Sequence, residues 1–329
     1  MVGLLAGIAA ALVTPMSFAA AVLGLLGLAG RRSGWLDIVA QFAPVWLAVS
    51  LAGALLAWPI LGHGAWRDPV LVAALVGVAA NGLMVAPEFV PGARPGPAGE
   101  TAAPLRMLTF NIWSENPDQP QTVDVILRVD ADIVALQEVR TLKADQRTRL
   151  VAVYPYWIVS SLDRGDLAIL SKLPWTASKS QLTADRVRLA MTWGETTAPD
   201  GQPVQVLTTH YRHPAPPAPQ AAQRAALARA LEELDKTDLI LTGDFNLAPW
   251  SAALKSQDRA FSPLARRTRA LFTWPARMAR PRLRTLFPVL PIDHVYAGPA
   301  WLTLAVSRLP RTGSDHYGVM ATLARALPK

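Results

Sequence analysis

The chain has 329 residues, 51% of them hydrophobic and only 17% charged, with no cysteine and a formal net charge of +8. That length allows one or two domains of about 150 residues each. The apolar content excludes a disordered chain, and the missing cysteine excludes disulfides, thiolate catalysis and thiolate-bound zinc. Along the chain, residues 1–90 hold three bases (Arg31, Arg32, Arg67) and three acids (Asp37, Asp68, Glu88), so the +8 lies entirely beyond them. Residues 2–30, 38–62 and 69–87 carry no charged side chain. Each such run meets the ~17–25 residues that a helix needs to cross about 30 Å of hydrocarbon. Trp35, Trp46, Trp58 and Trp66 stand near the expected span ends, as an interfacial aromatic belt would place them. Pro15, Pro44 and Pro59 are expected to kink or end helices locally. A cleaved signal peptide is not expected, because residues 2–30 lack a basic start and two further runs follow. The reading for 1–90 is three transmembrane helices in a lipid bilayer.

Residues 91–104 are rich in Pro and Gly and read as an extended linker. From Leu105 to the end at Lys329 the pattern is short apolar runs between turn signals. Strands are predicted over 105–110, 133–137, 167–170, 204–209, 239–242 and 292–296. Helices are predicted over 121–129 and 221–234, the second entered from the Pro-rich turn 214–219. Strands alternating with helices, several too apolar for exposure on either face, indicate a layered α/β domain.

Polar residues gather where these runs end: Asn111, Gln137-Glu138, His210, Asp244 with Asn246, Asp293, and Asp315-His316. Taken singly, an Asn or Asp after a strand is usually a turn or capping residue. Taken together they describe a carboxylate and imidazole site. Carboxylate and amide oxygens suit a hard cation such as Mg2+, and imidazoles supply proton transfer or hydrogen bonds near neutral pH. Such a set suits metal-assisted attack of water on a phosphate ester.

Five segments carry a resemblance: Leu-Thr-Phe-Asn-Ile-Trp (108–113), Leu-Gln-Glu-Val (136–139), Gly-Asp-Phe-Asn (243–246), Ile-Asp-His-Val (292–295) and Ser-Asp-His (314–316). In this order they resemble the endonuclease/exonuclease/phosphatase superfamily, the DNase I-like metal-dependent phosphohydrolases, over residues 105–323. The resemblance implies an α/β fold: a four-layer α/β sandwich of two packed mixed sheets flanked by helices, here preceded by three transmembrane helices. It implies Glu138 as principal ligand of Mg2+ (or Mn2+), with Asn111 and Asp315 on the metal side. Asp244 would orient or deprotonate the attacking water, and Asn246 would fix phosphate geometry. His316, oriented by Asp293, would contact the phosphoryl oxygen or move a proton. His210, in Thr-Thr-His-Tyr, would stabilise the phosphate or protonate the leaving oxygen. That segment matches the DNase I, phosphoinositide-phosphatase and sphingomyelinase branches, whereas apurinic endonucleases carry Tyr-x-Pro-Asn there. The apolar front end and Ala-Pro-Trp-Ser (248–251) look like the membrane-anchored bacterial branch. This implies a multi-pass protein of the bacterial inner membrane with a periplasmic catalytic domain. The count of Arg31 and Arg32 in the first loop against Arg67 in the second points the opposite way.

Residues 255–284 hold nine basic side chains against the single acid Asp258. Arg266, Arg267 and Arg269, with Trp274 among them, are the expected substrate-binding group, suited to a phosphate backbone or an anionic headgroup. The alternative for this arm is a solvated loop without a ligand. The function expected is a membrane-anchored phosphodiesterase or nuclease acting on a phosphoester. A lipid- or inositol-phosphate hydrolase is the alternative within the superfamily, and a catalytically silent anion-binding membrane protein the alternative outside it. No protein partner is expected.

Overall fold

A computed structural model describes residues 2–90, 100–160, 167–180, 189–278 and 284–327. Most of the expected linker (91–99), Gly165-Asp166, and the arginines at 280 and 282 lie outside these residues. The chain divides into two compact units. The helical unit comprises Met1–Val90, Ala215–Pro217 and Leu247–Ser256, and the α/β unit comprises the rest.

The helical unit contains α1 (Val2–Leu28), α2 (Gly34–Gln41), α3 (Ala43–Leu61) and α4 (Arg67–Phe89). Gly7–Leu28, Ala43–Leu61 and Arg67–Phe89 are long and apolar enough to cross a membrane. The charge-free run 38–62 is not one helix. It breaks at Phe42, and Pro44 sits in the first turn of α3, where its missing N–H costs nothing. Small residues let the long helices approach closely. A Cβ at Gly24 would collide with Asn81, one at Gly53 with Ser17, and one at Gly77 with Ser50. Buried Asn81 donates its Nδ2 to Gly77 O (2.8 Å) and Ala20 O (3.3 Å).

The α/β unit follows the order β1 (Leu105–Asn111), α5 (Gln119–Val129), β2 (Ile133–Gln137), α6 (Ala144–Val153), β3 (Tyr156–Val159), β4 (Leu167–Ser171), β5 (Trp175–Lys179) and β6 (Ala190–Thr197). It continues through β7 (Pro203–His210), α7 (Pro217–Glu232), β8 (Leu239–Asp244), α8 (Ala252–Ala260), β9 (Ala265–Arg266), β10 (Asp293–Ala297), β11 (Trp301–Arg308) and β12 (Val319–Arg325). Two six-stranded sheets result, ordered β11-β12-β1-β2-β4-β3 and β5-β6-β7-β8-β10-β9. Each has one parallel pair at its centre, β1 with β2 across α5 and β7 with β8 across α7; every other pairing is antiparallel.

Alternation along the central strands builds two cores. Leu105, Met107, Ile133, Ala135 and Ile169 of the first sheet pack against Val204, Val206, Ile240 and Val295 of the second. Leu108, Phe110, Val134 and Leu136 point the other way, onto Val123, Ile126 and Leu150 of α5 and α6. Strands buried on both faces are apolar at most positions, which gives these runs their near-continuous hydrophobic pattern. Gly243 completes the centre of the second sheet. Its φ is +148°, and a Cβ there would run into the Thr209 carbonyl of the neighbouring strand.

Candidate active site

Both parallel pairs end at the same edge, and register sets the side chains that meet there. Asn111 closes β1 opposite Gln137, with Glu138 next in the chain. His210 closes β7 opposite Asp244 at the end of β8, and Asp293 pairs with Asp244 from the other side. Gln137 joins the two sheets underneath, donating to Thr109 Oγ1 (3.2 Å) and to Thr208 Oγ1 (3.1 Å) of β7.

Above that tie, Asn111 Nδ2 donates to Glu138 Oε1 (3.0 Å) and to Asp244 Oδ2 (3.1 Å), bridging first sheet to second. Asp244 Oδ2 also lies 3.5 Å from His210 Nε2 and 3.6 Å from His316 Nε2. The other nitrogen of His316, Nδ1, is 2.9 Å from Asp293 Oδ2, which orients the ring. Ser314 fixes the backbone here: its Oγ donates to Asn111 O (2.7 Å) and accepts from His316 N (3.0 Å). Glu138 has left-handed backbone (φ 60°), and its Oε2 accepts from Ser114 N at 2.7 Å. Asn246, also left-handed (φ 49°), donates its backbone N–H to Asp244 Oδ1 and its Nδ2 to Tyr211 O, both at 2.9 Å. Non-glycine residues in this conformation cost ~1–3 kcal/mol and persist only where neighbours over-determine them.

Four carboxylates converge on this edge, and Glu138, Asp244 and Asp315 are shifted in different directions. Burial pushes Glu138 up, but hydrogen bonds from Asn111 and Ser114 and the nearby His210 outweigh it and hold the carboxyl below its usual value. Burial, reinforced by Asp293, pushes Asp244 up despite His316 and His210. Asp315 is raised by burial and by the charges of Glu138 and Asp244. Burial pushes His316 down, yet Asp293, Asp244 and Asp315 together hold the imidazole well above the ordinary histidine value.

Two carboxylate oxygens, Asp293 Oδ1 and Asp315 Oδ1, are buried and have no hydrogen-bond partner. Orphaned anionic oxygens beside mutually repelling carboxylates are what a hard divalent cation would satisfy. Asp244, Asp293 and His316 bring one side-chain O or N atom each within 4.8 Å of one another, the two carboxylates as oxygen donors and the imidazole as their hydrogen-bond partner. The donor set therefore fits a metal of the Mg2+ class, with Glu138, Asn111 and Asp315 the oxygens on the other side of the edge.

The basic arm differs from its expectation. Arg267 is 7% exposed, and its guanidinium donates to Ala297 O, Gly298 O and Trp301 O at 3.1–3.3 Å. A buried cation bonded to three backbone carbonyls ties the arm to the fold. Arg266 is half-buried, bonded to Thr268 O (2.6 Å) and paired with Asp258 at 3.4 Å. Arg269, also half-buried, is engaged within the fold. Trp274, half-buried, donates its Nε1 to Asp315 Oδ2 at 3.3 Å and so places the arm beside the site. Buried His294 bonds Thr268 and packs on Phe245. Sequence reasoning missed Ser314 as a positioning group, although Ser-Asp-His already contained it.

Known proteins carry the same architecture. An endonuclease/exonuclease/phosphatase from Beutenbergia cavernae DSM 12333 is 23% identical, with a TM-score of 0.55 over 68% of this chain and 72% of that one. D. rerio TDP2 complexed with a single strand DNA product is 16% identical, with a TM-score of 0.55 over 67% and 99%. The mannosyl-6-phosphatase Bt3783 of Bacteroides thetaiotaomicron VPI-5482 is 20% identical, with a TM-score of 0.51 over 67% and 99%. No curated protein matches the chain. A model of the Endonuclease/Exonuclease/phosphatase family matches residues 108–316, most of the chain, and the protein belongs to that family.

Proposed function

We propose that the chain is a membrane-anchored, divalent-metal-dependent hydrolase of phosphodiesters, set in a bacterial inner membrane with its α/β unit on the periplasmic side. One observation carries the chemistry: Asp244 Oδ2 within 3.6 Å of Asn111, His210 and His316, with His316 held by Asp293. In this reading Asp244 orients the attacking water and takes up its proton. Asn246 holds the loop against which the phosphate rests. His316, kept protonated by its carboxylate neighbours, donates to a phosphoryl oxygen where negative charge grows. His210, on the opposite flank of Asp244, stabilises the phosphate or protonates the departing oxygen. Glu138, Asn111 and Asp315 would hold the metal, which when bound neutralises phosphoryl charge and orients the ester.

Among the similar structures, D. rerio TDP2 is complexed with a single strand DNA product and Bt3783 is a mannosyl-6-phosphatase, so a nucleic acid and a sugar phosphate both belong among the substrates to be tested. A second reading, hydrolysis of a phospholipid or inositol phosphate, is favoured by the three helices long and apolar enough to cross a bilayer. The test uses full-length protein in detergent with Mg2+ or EDTA. Its substrates are a generic phosphodiester, single-stranded and duplex DNA, a sugar phosphate, phospholipid vesicles and inositol phosphates. Metal-dependent turnover that disappears in Glu138→Ala and His316→Ala supports the assignment. Turnover unchanged in both variants overturns it.

A further inference from the structure

Two stretches of chain that follow site strands belong to the helical unit. Ala215–Pro217 comes five residues after His210, and Leu247–Ser256 begins directly after Asn246. Inside that unit the longer stretch is bonded to α2. Ala252 N (2.6 Å) and Ala253 N (3.0 Å) donate to the two carboxylate oxygens of Asp37. Ala248 N donates to Gln41 Oε1 at 2.6 Å, and Trp250 Nε1 donates to Gln41 O at 2.8 Å. The shorter stretch is as close, since a Cβ on Gly34 would collide with Pro217.

Asp37 and Gln41 are buried, at 5% and 3% exposure. A buried carboxylate is costly unless it is fully hydrogen-bonded. Here it satisfies two of the orphan N–H groups that open α8, at the positive end of that helix, while Ser251 Oγ accepts from the Leu254 N–H. A helix whose only task is to tether a domain has no use for such a group. The Ala-Pro-Trp-Ser stretch, which no step at the site requires, is the counterpart that these two side chains hold. Only Leu247 separates Asn246 from the Ala248 N–H that Gln41 accepts, and Asn246 has a left-handed backbone that needs fixed flanks.

We propose that Asp37 and Gln41 are positioning residues of the hydrolytic site, fixing Leu247–Ser256 and through it Asn246 and Asp244. This rests on the reading of the site as hydrolytic. In it, α2 serves the enzyme and is not only part of an anchor.

The experiment compares full-length wild type with Asp37→Ala, Asp37→Asn, Gln41→Ala, Trp250→Phe and the exposed control Asp68→Ala, all in the same detergent. Metal-dependent turnover of bis(p-nitrophenyl) phosphate and amide hydrogen exchange are both read. A small misplacement of reacting groups can cost ~100-fold, so kcat should fall about tenfold or more in Asp37→Ala with KM nearly unchanged. Asp37→Asn, which keeps one acceptor oxygen, should recover part of that loss, and Asp68→Ala should match wild type. Amides 248, 252 and 253 should lose protection while those of β2 keep theirs. If Asp37→Ala does not fold, Trp250→Phe carries the test, with a kcat loss of about two- to fivefold from one missing hydrogen bond. Wild-type kcat in Asp37→Ala, Gln41→Ala and Trp250→Phe, with wild type active, overturns the positioning role alone. Unchanged protection at 248, 252 and 253 in Asp37→Ala and Gln41→Ala overturns the docking itself. A wild type without any metal-dependent turnover overturns the hydrolytic reading, and the positioning role with it.

Discussion

The β1-α5-β2 and β7-α7-β8 segments use one device twice, and the two copies are closed in different ways. In each, a parallel pair joined by a helix delivers polar side chains to the same edge. The first copy is closed by its own neighbours. Asp118 caps α5 by accepting from Gln121 N (3.1 Å), Ser114 N holds Glu138, and Gln119 bonds Thr141 O and Lys143 N. The second copy hands both of its exits to the helical unit: at the start of α8 Ser251 Oγ accepts from Leu254 N (3.1 Å), and Asp37, 215 residues away, takes the Ala252 N–H. Locally closed geometry survives changes elsewhere in the chain, whereas remotely closed geometry inherits the stability of whatever closes it.

The first prediction removes charged groups at the edge that both copies reach. Glu138→Ala and His316→Ala should each lower kcat about 1,000-fold, the scale seen when a transition-state charge partner is removed. Steady-state hydrolysis with saturating Mg2+ checks this. Asp293→Asn follows, with an expected loss of about 10–100-fold because His316 loses its orienting partner. The same variant alters titration in metal-free protein. The His316 imidazole is held above the ordinary histidine value when folded, so its stabilisation is complete below about pH 6.5 and is lost as pH rises through the folded value. Asn at 293 should move that folded value down and narrow the window, as NMR titration of the ring would report; an unmoved resonance would contradict the Asp–His pairing.

Smaller effects sharpen the contrast between the copies. Gln137→Leu removes the side-chain tie between the sheets and leaves two threonine hydroxyls to find new partners, an expected loss of ~1–3 kcal/mol by denaturant unfolding. Asp118→Ala should cost ~1 kcal/mol through the lost cap and leave kcat at the wild-type value. That pairing, stability lost without activity, is the opposite of what Asp37→Ala should give. Equal effects of the two substitutions on kcat would erase the distinction.

Central strands and site residues were legible because the physics that makes them also marks the sequence. β1, β2, β4, β7, β8 and β10 are largely buried and therefore read as mainly apolar runs with polar groups at one end. β5 and β11 lie on sheet edges with exposed Lys, Ser and Ala positions, and β12 mixes Met, Leu and two Ala, all good helix formers, so their patterns resemble loops or helices. Pro44 marked the start of α3, but the absence of charge across 38–62 concealed the separate α2. Asp37 left no local trace of its role, since the amides it accepts from belong to backbone 215 and 216 positions away. The inward turn of Arg267 was equally hidden: a guanidinium has the same composition whether it faces water or a cage of carbonyls.

That cage has a consequence for polyelectrolyte behaviour. Binding to a nucleic acid releases condensed counterions in proportion to the protein cations that actually reach phosphate, and the salt slope counts them. Arg267 already donates to three carbonyls, Arg277 bonds Gly313 O at 3.2 Å, and Arg266 bonds Thr268 O. Cations committed in this way displace no ions from a backbone they never approach. For any polyanion, the ionic-strength dependence of association will therefore be that of a protein with fewer charges than the 255–284 arm carries.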